Sequence, residues 1–147
     1  MANQQQLDIL KQEVATTWNT WREEHPDTPI ELDGIDLSEA NLGEVNLAGA
    51  DLGRTDLSRA DLNHAKLSKA LLAGANLSGA NLAGVDLSAA DLRGANLRDA
   101  DLRDANLAGA DLRGADLSEA RLDWAMLEEA LITPEQLSNA RAGRESL

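Results

Sequence analysis

The chain has 147 residues, a length that normally makes one compact domain, and its 13 basic and 26 acidic residues give a net charge of −13. This charge argues against direct binding of nucleic acid, and the absence of Cys excludes disulfides, thiol catalysis and cysteine-ligated metal sites. No apolar stretch is long enough to span a membrane and the first ten residues lack the pattern of a signal peptide, so we expect a cytoplasmic protein without membrane contact.

Residues 1–30 precede the regular part of the chain and form the first of three expected segments. Between Leu7 and Glu24 apolar side chains recur every three or four residues, which predicts one amphipathic helix. Pro26 and Pro29 then end the helix. Its apolar positions are Leu7, Leu10, Val14, Trp18 and Trp21.

Residues 31–130, the second segment, repeat with a period of five. Every fifth residue from Leu32 to Leu127 is Leu, which gives twenty leucines without an insertion. From Ala40 onward the residue two positions before each Leu is Ala, Val or Thr, usually Ala, and the residue between them is usually Asp or Asn. Gly often follows two positions after Leu, where a positive φ angle would cost little. These glycines are Gly34, Gly49, Gly74, Gly79, Gly84, Gly94, Gly109 and Gly114.

A period of five is compatible with neither a helix nor a flat strand. In an α-helix five residues advance by about 500°, so successive leucines would spiral around the helix without forming an apolar face. In a flat strand they would point to opposite faces, because five is odd. The pattern is satisfied if the chain bends once per repeat, so that Ala and Leu point inward and Asp, Asn, Ser and Gly form the corners. We therefore predict an all-β solenoid with an inner ladder of leucines.

The repeated unit Ala-(Asp/Asn)-Leu-x-x resembles the pentapeptide-repeat family, and the match covers about two thirds of the chain. The resemblance implies a right-handed quadrilateral β-helix, whose square section and hand come from the family and not from the bending argument. Four repeats would close one coil, so residues 31–130 would form about five coils. The string from Trp18 to Arg22 is also similar to leaders of cyanobacterial members.

The two ends of such a solenoid need covering, because an open coil exposes leucines and unpaired backbone groups. We expect the N-terminal helix to lay Trp18 and Trp21 across the first coil. A membrane-surface or partner-binding helix is the alternative, but residues 1–30 carry five acids against two bases, which does not suit anionic lipid.

Residues 131–147, the third segment, contain the start of a second helix. Thr133–Gln136 matches an N-cap, a proline at the first helical position and a capping box. We expect a short terminal helix, with Trp124 and Met126 packed beneath it. Because a similar terminal element supports dimers in some members of the family, the resemblance implies a monomer or an end-to-end homodimer.

The repeats offer no arrangement typical of a catalytic or metal site. Glu44 would lie one coil before His64, and we interpret this pair as an exposed ion pair rather than an acid–base pair. Asp99, Asp101 and Asp104 could suggest a calcium site, but arginines alternate with them and no loop wraps an ion, which favours a solvated charged face. No Ser has a His placed to activate it, so we predict a non-enzymatic protein without cofactors or metals.

The clearest interruption of the acidic pattern lies within residues 54–71. Lys66 and Leu71 stand where Asp or Asn is usual, on adjacent faces of the expected coil. We consider this stretch, called the basic patch, as a docking site for a partner; the alternative is tolerated variation of the surface. The basic patch comprises Arg54, Arg59, His64, Lys66, Lys69 and Leu71.

The surface therefore carries the functional prediction, which is a scaffold or protein-protein interaction module with an unknown partner. The family also includes quinolone-resistance proteins that resemble acidic duplex DNA and bind DNA gyrase, so an acidic DNA mimic is the alternative function. Residues 31–130 carry a net charge of −10, and duplex DNA of that length carries about −14. However, the charge lies at the two ends, where it would oppose end-to-end stacking, and the chain lacks the Phe ladder and interrupting loops of those members.

Overall fold

The computed structural model describes residues 3–12 and 15–141, and its repeats form a stack of coils. Parallel bridges join single residues twenty positions apart, such as Asn76 and Asn96, and they form four columns, one on each face of the stack. One column contains Glu31, Asp51, Leu71, Asp91, Asp111 and Leu131. Within the described residues the extended segments are these single bridges rather than longer strands.

Backbone hydrogen bonds between coils make the stack continuous. The Leu77 amide donates to Asn96 O in the next coil at 2.7 Å, and the Asn76 amide donates to Thr55 O in the preceding coil at 2.9 Å. The same pattern recurs through the repeats, so each coil uses its polar backbone to hold both neighbours.

Each corner is a four-residue turn that begins at Leu. The Ala80 amide donates to Leu77 O at 3.1 Å, and the third residue of the turn, Gly79, has a φ of 66°. A turn in which only the third residue has a positive φ is a type II turn. The expectation of positive φ at the eight repeat glycines is confirmed, and twelve other residues at the same position share it.

The residue before Leu stabilises the corner with its side chain. Asp86 Oδ1 accepts the backbone N–H of Ser88 at 3.0 Å and the Ser88 hydroxyl at 2.6 Å, which closes an Asx turn. Because both Asp and Asn carry this oxygen, the contact explains why the position alternates between them.

The core is the predicted ladder of leucines. From Leu32 to Leu122 every repeat leucine is buried, with at most 3% of its surface exposed, and most of the small residues two positions earlier are buried beside them. Leu127, the last repeat leucine, is only half-buried. The inner ladder is therefore confirmed up to the last coil.

The N-terminal segment forms two helices, so the prediction of a single helix from Leu7 to Glu24 is wrong. Helix α1 spans Gln4–Leu10 and α2 spans Ala15–Glu24; Val14 lies outside the described residues. The division lets two faces of the first coil be reached at once, because Gln6 of α1 bonds the Pro29–Glu31 backbone while α2 bonds the backbone around Asn46.

The C-terminal segment contains α3, which spans Pro134–Asn139 and has the expected capping box between Thr133 and Gln136. After α3 the chain rejoins the stack, since Arg141 bridges to Arg121. Helix α3 thus replaces one side of a coil. Among the described residues, no helix is both long and apolar enough to cross a membrane.

Candidate interaction surface

The basic patch is distributed around the rod and does not form one face. Arg54, Arg59, His64 and Lys69 are spaced by five residues, and each has the positive φ of a corner. They therefore lie at the four successive corners of one coil, pointing in different directions. The expectation that these six residues form one docking patch is therefore wrong. They form a belt around one coil of the rod.

Half of this belt forms a compact surface, which we call the Lys66 corner: Lys66, Lys69 and Leu71. Lys66 and Leu71 lie on adjacent faces, and Lys69 lies at the corner between them. Lys66 and Lys69 are exposed, and the Leu71 side chain is 48% exposed. Neither lysine makes an ion pair with another described residue.

The other three residues of the belt, Arg54, Arg59 and His64, contact residues of the neighbouring coils. Arg59 Nε lies 3.2 Å from Glu39 Oε1, and the Arg54 side chain lies over Gly74. The His64 ring leans over Gly84, where an added side chain would collide with it. The expected ion pair between His64 and Glu44 is not among the contacts of the described residues.

Three aspartates and three arginines of residues 91–113 form ion pairs with each other, which was not predicted from the sequence. Arg103 Nε and Nη2 donate to the two oxygens of Asp101 at 2.9 and 2.7 Å. Arg93 holds Asp91 and Arg113 holds Asp111 in the same way. The signal is the string Asp-Leu-Arg, which places both side chains on one side of a corner and occurs three times.

These arginines change the titration of their partners. Hydrogen bonds from Arg113 lower the pKa of the Asp111 carboxyl to about 2, and the Arg93 guanidinium contributes by charge attraction. Hydrogen bonds from Arg103 likewise lower the pKa of Asp101. No group of three or more ligand-type side chains in the described parts of the chain could hold a metal ion, and Asp99 and Asp104 are exposed residues at two corners.

The predicted capping residues fall into two classes. Trp18 is fully buried, and its Nε1 donates to Asn46 O at 2.7 Å; Trp21 is 9% exposed and stacks on it with ring centres 5.3 Å apart. In contrast, Trp124 is 64% exposed and Met126 is 46% exposed, so the expectation that they pack beneath α3 is wrong. Helix α3 lies toward another side of the end, where Gln136 Nε2 donates to Leu112 O at 2.6 Å.

Comparisons with known proteins agree with this geometry. The family model for pentapeptide repeats matches eight copies over residues 35–74, 60–99 and 95–133. The comparison with curated proteins gives no match.

Among solved structures, the chain is similar to the pentapeptide repeat protein Rfr23 from the cyanobacterium Cyanothece 51142, with a TM-score of 0.62 and 27% identity over 87% of this chain and 99% of that one. It is also similar to alr5209, a pentapeptide repeat protein from Nostoc PCC 7120, with a TM-score of 0.54 and 38% identity over 72% and 83%. The fluoroquinolone resistance protein QnrB1 matches with a TM-score of 0.37 and 16% identity over 80% and 89%, which supports no functional inference. With its repeats matched over most of its length and folded as a right-handed quadrilateral β-helix, the chain belongs to the pentapeptide-repeat family.

Proposed function

We propose that this protein is a non-enzymatic interaction module whose Lys66 corner docks an acidic segment of a partner protein. The observation that carries the proposal is the combination of two unpaired lysines with an exposed Leu71 on a molecule of net charge −13. Lysine ammonium groups attract a carboxylate-rich partner, and the apolar Leu71 side chain on the face next to Lys69 supplies area that loses water on contact.

Lys66 and Leu71, which stand where most repeats have Asp or Asn, also lack a stabilising contact. At most other repeats an Asp or Asn in this position accepts the backbone N–H two residues later, as Asp86 does from Ser88 at 3.0 Å. Lys66 and Leu71 have no side-chain acceptor, so they cannot form the Asx turn. Loss of this contact at two consecutive repeats supports a role at the surface.

The serines support the non-enzymatic part of the proposal. Ser58, Ser78 and Ser118 donate their hydroxyls to the Asp or Asn two residues earlier at 2.6–2.7 Å. A hydroxyl that is hydrogen-bonded within a turn in this way is not presented to a general base, which a nucleophilic serine requires.

The cytoplasmic location stays a prediction from the sequence.

The distribution of charge argues against the alternative of a gyrase-binding DNA mimic. Duplex DNA carries its charge evenly. Here residues 31–50 carry −5 and residues 111–130 carry −4, whereas the coils between them carry almost no net charge. The Asp91, Asp101 and Asp111 carboxylates are further neutralised by their arginines.

The test is capture of partners from an extract of the source organism with the Lys66→Glu/Lys69→Glu variant beside the native chain. We expect partner recovery to fall by about tenfold or more, because attraction becomes repulsion. Arg54→Glu/Arg59→Glu is the matched control, since it changes the net charge by the same amount at two other corners of the same coil, and it should leave recovery unchanged. Glu already occupies the corner conformation at positions 44 and 119 and the bridge position at Glu31, so these variants should fold. The same partners recovered equally by the double variant would refute the proposal.

A further inference from the structure

The last coil exposes apolar side chains that the rest of the solenoid buries. Trp124, Met126 and Leu131 are 64%, 46% and 49% exposed, and apart from Leu71 they are the large exposed hydrophobic side chains of the described residues. Trp124 lies at a corner, Met126 on the next face and Leu131 on the face after that. They therefore follow one another around the same end of the rod.

The core beneath this surface is also incompletely covered. Ala125, Leu127 and Ala130 are half-buried, whereas Leu122 is only 2% exposed. Helix α3 covers a different part of the end, because Gln136 Nε2 donates to Leu112 O and Ala115 O. An apolar surface is therefore left open beside α3.

Acidic side chains border this surface. Asp123 precedes Trp124, and Glu128 and Glu129 separate Met126 from Leu131. None of the three carboxylates makes an ion pair within 4.0 Å with a described residue, although Asp123 lies near enough to Arg103 to attract its guanidinium group. We call this surface the terminal face: Asp123, Trp124, Met126, Glu128, Glu129 and Leu131.

We propose that the terminal face docks a cationic amphipathic segment of a partner protein. Apolar side chains of such a segment would cover Trp124, Met126 and Leu131, and its Lys or Arg side chains would pair with the bordering carboxylates, chiefly those of Glu128 and Glu129. A second copy of this chain fits less well, because residues 31–50 and 111–130 both carry net negative charge and would repel in either end-to-end arrangement. The terminal face and the Lys66 corner rest on different residues, so either can fail without the other.

The probe for this proposal is a synthetic helical peptide of Leu and Lys, about 14 residues long, with the leucines on one face. Trp124 reports binding, because Trp18 and Trp21 are already buried and the Trp124 indole is exposed. We expect a blue shift of tryptophan emission with the Leu/Lys peptide and none with a Leu/Glu peptide of the same pattern.

Two variants of the terminal face sharpen the test. Asp123→Asn/Glu128→Gln/Glu129→Gln should raise the Kd for the Leu/Lys peptide by about tenfold or more. Met126→Asn restores the residue type that forms the Asx turn in other repeats, so it should fold and also weaken binding. The matched control, Glu31→Gln/Glu39→Gln/Glu44→Gln, removes three charges from the first coil and should leave the Kd unchanged, as should Lys66→Glu/Lys69→Glu.

Three results would overturn the proposal. Equal weakening by the first-coil control would mean that the peptide responds to net charge alone. Dimer formation at micromolar concentration in sedimentation experiments, abolished by Met126→Asn, would make a second copy the occupant. Peptide binding that occurs only after removal of residues 142–147 would make the chain's own end the occupant.

Discussion

Each residue of the repeat has a separate physical task. Leu fills the interior, the small residue two positions before it leaves room for the leucines, and Asp or Asn closes the turn with its side-chain oxygen. The corner residue adopts a positive φ, which Gly does at the least cost, yet twelve other residues do so here. A repeat therefore tolerates exchange at its corners and little exchange at its leucine.

Replacement of Leu77 should test this difference. Leu77 lies in a middle coil and has no exposed surface, so Leu77→Ala should lower the free energy of unfolding by about 2–5 kcal/mol by leaving a cavity. Leu77→Asp should prevent folding, because it buries an unpaired charge. Urea denaturation followed by circular dichroism measures both effects.

Asp86→Asn provides the contrast on the outside of the rod. Asn keeps the oxygen that accepts from Ser88, so the free energy of unfolding should stay within about 0.5 kcal/mol of the native value. If Asp86→Asn destabilised the protein more than Leu77→Ala, the inner ladder would not be the main source of stability.

At the scale of elements, α1 and α2 supply with side chains what a preceding coil would supply with backbone. Glu31 N–H donates to Gln6 Oε1 at 2.8 Å, and Asn46 N–H donates to Asn19 Oδ1 at 2.8 Å. Arg22 donates to the carbonyls of Asn46 and Ala48, and burial lowers the pKa of its guanidinium. The first coil therefore ends in satisfied polar groups on two of its faces.

The two indoles of α2 should respond differently to removal of their N–H. Trp18 Nε1 donates to Asn46 O at 2.7 Å, whereas Trp21 Nε1 is buried without a partner among the described residues. Both Phe variants lose similar volume, but only Trp18→Phe loses a hydrogen bond. We expect Trp18→Phe to cost about 1 kcal/mol more than Trp21→Phe in thermal or urea unfolding. Equal costs would mean that the Trp18 bond contributes nothing to the attachment of α2.

At the scale of the molecule, the repeat was predictable because one rule applies at every fifth residue, and twenty leucines state it without ambiguity. The ends were less predictable, because they depend on distances between segments far apart in the chain. The break between α1 and α2 follows from the need to reach Glu31 and Asn46 together, and Trp124 is exposed because α3 covers another side. The dispersal of Arg54, Arg59 and Lys69 could have been foreseen, since each step of five moves to the next corner.

The Asp-Leu-Arg pairs should make a small contribution to the acid stability of the rod, because they lie at its surface. In the folded protein the Arg113 hydrogen bonds lower the pKa of Asp111 to about 2, from 3.8 for an ordinary Asp, so between these values the unfolded chain binds more protons. This contribution to the free energy of unfolding is therefore full above about pH 4 and is lost as the pH falls toward about 2. Arg113→Gln should flatten the loss in urea unfolding measured between pH 5 and pH 2, whereas Arg141→Gln, which removes a 3.7 Å pair with Glu119, should not. An unchanged pH profile for Arg113→Gln would show that the Asp111 pair does not contribute to acid stability.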